Sequence, residues 1–183
     1  MIMKKFKKYL SVYQLAIIAT TAILLNSCGV KIPEYVQPLE NFNSEEYAGK
    51  WYEIARFDFK YEKDMSFVTA DYSINKNGSI KVVNRGFDYN KNKWKQAVGK
   101  AKFNGKNDQS ALKVSFFGPF YAGYNVVMME PDYQTALVFG QNTNYIWILS
   151  RTKSISDETK EKFFAKAKKA GYDLDRLVWT QQE

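Results

Sequence analysis

Between residues 47 and 150 the chain alternates short apolar and polar runs, divided by turn chemistry, which is the pattern of strands joined by hairpins. The spacing predicts strands over residues 51–57, 67–74, 80–89, 94–103, 111–117, 124–129, 135–139 and 145–150. Asn77-Gly78 closes the link after the second of these, and Asn-Gly suits a tight hairpin because both central residues must accept positive φ. Polar turns follow at residues 90–93 and 104–108, and the longest gap, residues 58–66, reads as a loop at the mouth of whatever the strands enclose. Eight strands in up-and-down order with hairpin-length links can close into a barrel with room for one small ligand, and closure removes the exposed sheet edges.

After residue 150 the apolar period lengthens from 2 towards 3.6. Ser156 suits the N-cap of a helix whose first turn carries Asp157 and Glu158; Phe163, Phe164 and Ala167 make its apolar stripe, and Gly171 stops it. The stripe is narrow, so the lysines opposite it read as a solvated face and not as a membrane-binding one. Leu177-Val178-Trp179 predicts a short final strand, and Ser44 to Tyr47 a helical turn before the first. The expected fold is therefore mainly β: an eight-stranded antiparallel up-and-down β-barrel with one C-terminal α-helix packed outside and a short last strand.

The N-terminal stretch is set apart from this domain. Lys4, Lys5, Lys7 and Lys8 precede an apolar run over residues 15–25, interrupted by Thr20 and Thr21, which is the layout of a secretory signal. The run is too short for a spanning helix, which needs about 20 apolar residues. It ends in Leu25-Asn26-Ser27-Cys28-Gly29, which resembles the lipobox of bacterial lipoproteins. That resemblance implies removal of residues 1–27 and a diacylglycerol on the Cys28 thiol, which would hold the chain to a membrane. Gly29, in place of an Asp, points towards the outer membrane and a periplasm-facing domain. The alternative is a lone cysteine beside a cleavage site, which would leave an exported protein with a free thiol. Residues 28–43, with Pro33 and Pro38, read as a tether, and residues 44–183 as the domain.

Removing the signal changes the charge picture. The whole chain holds 27 Lys+Arg against 19 Asp+Glu, a net of +8. Without the four signal lysines, 23 basic residues face 19 acidic ones, and the signs are interspersed, which is not the footprint of a nucleic-acid partner. There is no histidine and one cysteine. Serine–histidine and cysteine–histidine nucleophiles, disulfides and thiolate clusters are excluded, and no metal or cofactor is expected.

The motifs now point to a family. Gly49-Lys50-Trp51, Pro131-Asp132-Tyr133 with the strand after it, and Trp147 to Arg151 at the end of the eighth strand resemble the three signatures of the lipocalins, in order and at matching strand ends. Asn84-Arg85-Gly86, residues 111–121, Ile155-Ser156-Asp157-Glu158 and Trp179-Thr180-Gln181-Gln182 are similar to bacterial lipocalins, so the resemblance runs from about residue 40 to the end. It implies the lipocalin (calycin) barrel, with Gly49, Trp51 and Arg151 closing one end in a structural role. The other end would be open, with Phe117, Phe120 and Tyr121 at its rim.

Strand parity then suggests the cavity face. If Arg151 caps the interior, Trp147 and Leu149 point in, while Ile146 and Ile148 point out towards Phe163 and Phe164. Alternation from Trp51 places Glu53, Ala55 and Phe57 inside. On the sixth strand Tyr124, Val126 and Met128 are preferred over the nearly as apolar set Asn125, Val127 and Met129. A buried Glu53 needs a partner, either a lysine or tyrosine of the protein or the head of a ligand. The resemblance implies a binding protein for a fatty acid, lysophospholipid or phospholipid, exchanged with the membrane, and a homodimer as in some lipocalins. Two alternatives stand beside it: a structural envelope lipoprotein with a filled barrel, and an enzyme using a carboxylate such as Glu53.

Overall fold

The computed structural model describes residues 30–182; Cys28 and the signal lie outside them. Nine strands form one antiparallel sheet: β1 (Gly49–Phe57), β2 (Met65–Ile74), β3 (Ile80–Asp88), β4 (Lys93–Phe103), β5 (Ala111–Phe117), β6 (Phe120–Met129), β7 (Thr135–Gly140), β8 (Ile146–Ser150) and β9 (Leu177–Trp179). Each of the first seven pairs with the next, and β1 also pairs with β8, closing the barrel. A four-residue helix α1 (Ser44–Tyr47) precedes β1, and α2 (Asp157–Lys169) follows β8. The expected strands all appear; β6 starts at Phe120, earlier than the sequence pattern suggested, because Phe117 and Phe120 pair across a tight hairpin.

The seam between β1 and β2 is incomplete. These strands pair over Gly49–Tyr52 and then part. The segment after α2 fills the gap. β9 pairs with Ala55–Phe57, Thr180 N donates to Ile54 O at 3.0 Å, and Phe67 N donates to Gln181 O at 2.8 Å. The Gln182 side chain donates to Glu53 O at 2.7 Å and to Val68 O at 2.9 Å, bridging the two strands. Residues 177–182 are thus a plank of the upper wall.

Two apolar cores lie on opposite faces of this wall. The interior one includes Trp51, Tyr72, Val82, Leu112, Val126, Val138 and Leu149. The outer one packs Ile54, Leu137, Phe139, Ile146 and Ile148 against Phe163 and Ala167 of α2. The helix begins where the Ser156 hydroxyl accepts from Thr159 N at 3.1 Å, carries Asp157 and Glu158 in its first turn and three lysines in its last, and ends before Gly171 at φ +84°.

Bulges correct the cavity face read from alternation. In β1, Glu53 opposes Leu149 and Ala55 opposes Ile148, so Ile54 is an extra residue. An extra residue reverses the parity of everything beyond it. Ala55 and Phe57, expected inside, therefore belong to the outer core, and Arg56 turns inward instead. A second bulge between Val126 and Met128 in β6 does the same, and Met128 packs on the outer core while Met129 faces the interior.

The stretch expected as a tether is packed where it is described. Val36 and Phe42 are buried. Leu39 N donates to the Ser110 hydroxyl at 2.6 Å, Ser110 N to Leu39 O at 2.9 Å, and Phe42 N to Asp108 O at 2.8 Å.

Candidate functional site: the barrel interior

The floor is built around Trp51, which has no exposed surface. The Asn43 side chain caps α1, accepting from Glu45 N at 3.0 Å, and this turn delivers Tyr47 against the indole at 4.8 Å between centroids. Trp51 Nε1 donates to Tyr47 O at 2.8 Å. From below, the Arg151 guanidinium lies 3.9 Å from the Trp51 ring centroid and donates to the carbonyls of Lys50, Glu46 and Ala48 at 2.8–2.9 Å. Gly49 sits at φ +92°, and a Cβ there would come within 3.4 Å of Arg151 Nη1, so its backbone demands glycine.

Above the floor, three tyrosine hydroxyls form a chain: Tyr47 to Tyr124 at 2.6 Å and Tyr124 to Tyr72 at 2.9 Å. Burial pushes all three well above the ordinary phenol range, so they are neutral. Three protons serve two contacts, which leaves one hydroxyl proton not used within the trio.

Above the tyrosines lies a buried ionic cluster. Arg56, 1% exposed, donates to Glu53 Oε1 at 2.8 Å, to the Thr180 hydroxyl at 2.9 Å and to Glu62 O at 2.6 Å. Thr180 in turn donates to Glu53 Oε1 at 2.6 Å. Glu62 Oε2 accepts from Trp147 Nε1 at 3.2 Å. Burial raises both carboxyls, Glu62 to about 8, and the nearby Glu53 charge adds to that shift; for Glu53 the Arg56 guanidinium opposes it. One arginine between two carboxyls is a neutral set when Glu62 keeps its proton. Glu53 thus pairs with an arginine and a threonine, not with the lysine or tyrosine considered from sequence.

The loop between β1 and β2 crosses the top. Phe59 meets Trp147 edge-on at 6.0 Å, and Tyr61 meets Phe117 at 5.9 Å on the hairpin opposite β1. Arg56, through Glu62 O, holds this lid down. The wall beneath the lid is not filled on every side. Ala70, Asn84 and Ala97 are register partners on the interior face, yet Ala97 is exposed. Asn84 Oδ1, on the same rung, is buried with no partner. Of the cations on this face, Arg56 pairs with Glu53 at 2.8 Å, its buried Nε making no hydrogen bond and lying 3.8 Å from Glu62 Oε2, and Lys95 pairs with Asp88 at 2.5 Å, while Lys93 at the rim is exposed.

The sequence-predicted residues thus divide. Glu53, Tyr124, Val126, Trp147 and Leu149 come together inside; Ala55, Phe57 and Met128 do not. Phe117 and Phe120 are exposed at the rim, and Tyr121 is half-buried beside them with Lys102 Nζ 6.0 Å from its ring. Arg56, Glu62, Thr180, Tyr47 and Tyr72 were missed. A buried glutamate in need of a countercharge was the one sequence signal for Arg56, and parity pointed away from it.

A family model described as a lipocalin-like domain matches residues 42–182. The chain is 46% identical over 165 residues to the outer membrane lipoprotein Blc of Escherichia coli (strain K12), covering 90% of this chain and 93% of that one. It is 44% identical over 163 residues to the protein of the same name in Vibrio cholerae, covering 88% and 95%. Temperature-induced lipocalin-1 of Arabidopsis thaliana is 35% identical over 155 residues, covering 80% and 83%. Among solved structures, insecticyanin from Manduca sexta superposes with a TM-score of 0.66 at 19% identity, covering 84% of this chain and 87% of that one, and lobster apocrustacyanin A1 with 0.64 at 23%, covering 84% and 94%; these show the shared fold.

Proposed function

This chain belongs to the lipocalin family, and from that premise we propose that its barrel binds a fatty acid, lysophospholipid or phospholipid and carries or stores it in the cell envelope. The observation that carries the reading is a vessel with one mouth: the floor is sealed by Trp51 and Arg151, while Ala97, on the inner wall, is open to solvent. An acyl tail sheltered there gains about 0.8 kcal/mol per buried methylene. Arg56 and Lys95 are already neutralised by carboxylates, so an anionic head finds its favourable charge at the rim, near Lys93. The tail lies inside and the head at the mouth.

Cys28, acylated, tethers the chain to the outer membrane on its periplasmic side. Support comes from the lipobox-like residues 25–29 and from the similarity to relatives named outer membrane lipoproteins. No catalytic role is assigned: the carboxyls of the interior are committed to Arg56, Thr180 and Trp147.

The test is native mass spectrometry of the protein purified without detergent, followed by lipid extraction. An acyl lipid of defined mass, retained by the folded protein, is the expected result. A barrel that arrives empty and takes up neither added fatty acid nor lysophospholipid overturns the reading and leaves a structural lipoprotein.

A further inference from the structure

Five of the seven aromatic side chains exposed among the described residues lie at the open end, Tyr35 and Trp179 being the other two. Tyr61, Tyr89, Trp94, Phe117 and Phe120 all lie on mouth loops or at the strand tips beside them, and Phe117 and Phe120 are 66% and 79% exposed. At the closed end, Ile74 is the large apolar side chain exposed among the described residues. One exposed phenylalanine is ordinary, but a crown of aromatics around one opening is a binding surface. Lysines stand among them: Lys60, Lys63, Lys91 and Lys93 are exposed on the same loops. Lys60 Nζ lies 4.6 Å from the centroid of the Tyr61 ring. Asp58 is the exposed acid on these loops, whereas the closed end carries both signs, Glu45, Glu46, Asp108 and Asp132 beside Lys50, Lys76, Lys106 and Lys153.

The start of the described chain runs along the wall beneath that rim, where Val30 O accepts from Asn104 Nδ2 at 2.6 Å. Val30 and Lys31 line an open groove of about 490 Å³ together with Phe120, Tyr121, Gln141 and Asn142. Cys28 precedes Val30 by two residues, a reach of at most ~7 Å.

From this we infer that the open end of the barrel docks face-on to a bilayer surface bearing anionic phospholipid, with Phe117 and Phe120 entering the interface. The inference rests on the tether proposed above only for what the chain carries at Cys28; the aromatic crown and its lysines are independent of it. Aromatic rings at headgroup depth, with lysines reaching the phosphates, are the arrangement by which proteins lie on membranes. A second copy is a poorer occupant, because two such faces would set lysines against lysines. Docked this way, the mouth opens onto lipid, and a guest passes between bilayer and barrel without crossing water.

The test places an indole at the hairpin tip. The protein, as the cell produces it, carries Phe120→Trp and is mixed with vesicles of phosphatidylethanolamine and phosphatidylglycerol whose acyl chains are brominated. The emission of the parent, with its own four tryptophans, is subtracted. The expected result is loss of most of the added emission by quenching, with a blue shift, and a smaller loss on phosphatidylcholine vesicles. Phe117→Trp reads the other side of the hairpin and gives the same result if either variant folds poorly. Vesicle-bound protein whose added indole is unquenched overturns the proposal, as does a doubling of mass in sedimentation that Phe120→Ser abolishes without any quenching. Lipid extracted from the same sample reports on the ligand separately: quenching with an empty barrel sinks the binding reading alone, and a filled barrel without quenching sinks the docking alone.

Discussion

Glu62 hangs from the lid with its side chain 13% exposed, its carboxyl facing Trp147 and the Glu53–Arg56 pair. Its value of about 8 lies above that of an unfolded glutamate. The folded chain therefore keeps a proton that the unfolded chain releases, and the stability tied to this group is greatest in acid and falls as pH rises from about 5 to about 8. Asp88 works in the opposite sense: Lys95 holds its carboxyl below the usual range, so its contribution is present at neutral pH and is lost on acidification. Urea midpoints measured across that range should decline for the parent towards alkaline pH and stay flatter for Glu62→Gln, which cannot ionise; equal slopes would show that Glu62 does not titrate in this window. At the floor, Arg151→Lys keeps the charge but loses the planar fork that serves several carbonyls and the Trp51 face. A loss of about 2–4 kcal/mol in chemical unfolding is expected, with lipid retention reduced in proportion to unfolding and no further.

The helix and the strands carry their own tests. Phe163 of α2 is fully buried against Phe139, Ile146 and Ile148, so Phe163→Ala should cost about 3–5 kcal/mol, read by denaturant or heat, whereas Lys169→Ala on the exposed side of the last turn should change little. The elements themselves were legible because their signals are local: Asn77-Gly78 for a turn, Ser156 with Asp157 and Glu158 for a helix start, and alternation for each strand. The inner face was legible where strands stay regular, as Trp147 and Leu149 show on β8. It was lost beyond Ile54 and Val127, because a bulge is decided by what the strand must pack against on both sides and leaves no mark in the alternation. Ala55 and Phe57 looked like the continuation of Trp51 and Glu53, and Arg56 looked like a surface residue. Thr180 was illegible for a related reason: its partner Glu53 stands 127 positions earlier in the chain, and only the closed barrel brings them together.

The barrel closes through residues from both ends of the described chain. Phe42 seals beneath the floor, and residues 177–182 complete the wall between β1 and β2. Thr180→Val removes a hydroxyl that donates to Glu53 and accepts from Arg56, and should cost about 1–3 kcal/mol while loosening the lid, seen as faster exchange of amides in residues 58–64. A bound lipid should oppose both effects, raising the unfolding temperature in proportion to its occupancy. The plank at the seam also imposes an order in time. A polypeptide is made, and where exported is threaded, from its N-terminus, so the residues of the eight wall strands emerge before Leu177 to Gln182. Without them β1 and β2 lack their bridge beyond Tyr52, and Glu53 and Arg56 lack Thr180. On the proposed reading, in which the chain is exported and holds a lipid, the wall is complete only after the segment behind α2 has followed the rest across, so the compartment where the chain finishes its passage, and not the one where it is made, decides what fills it.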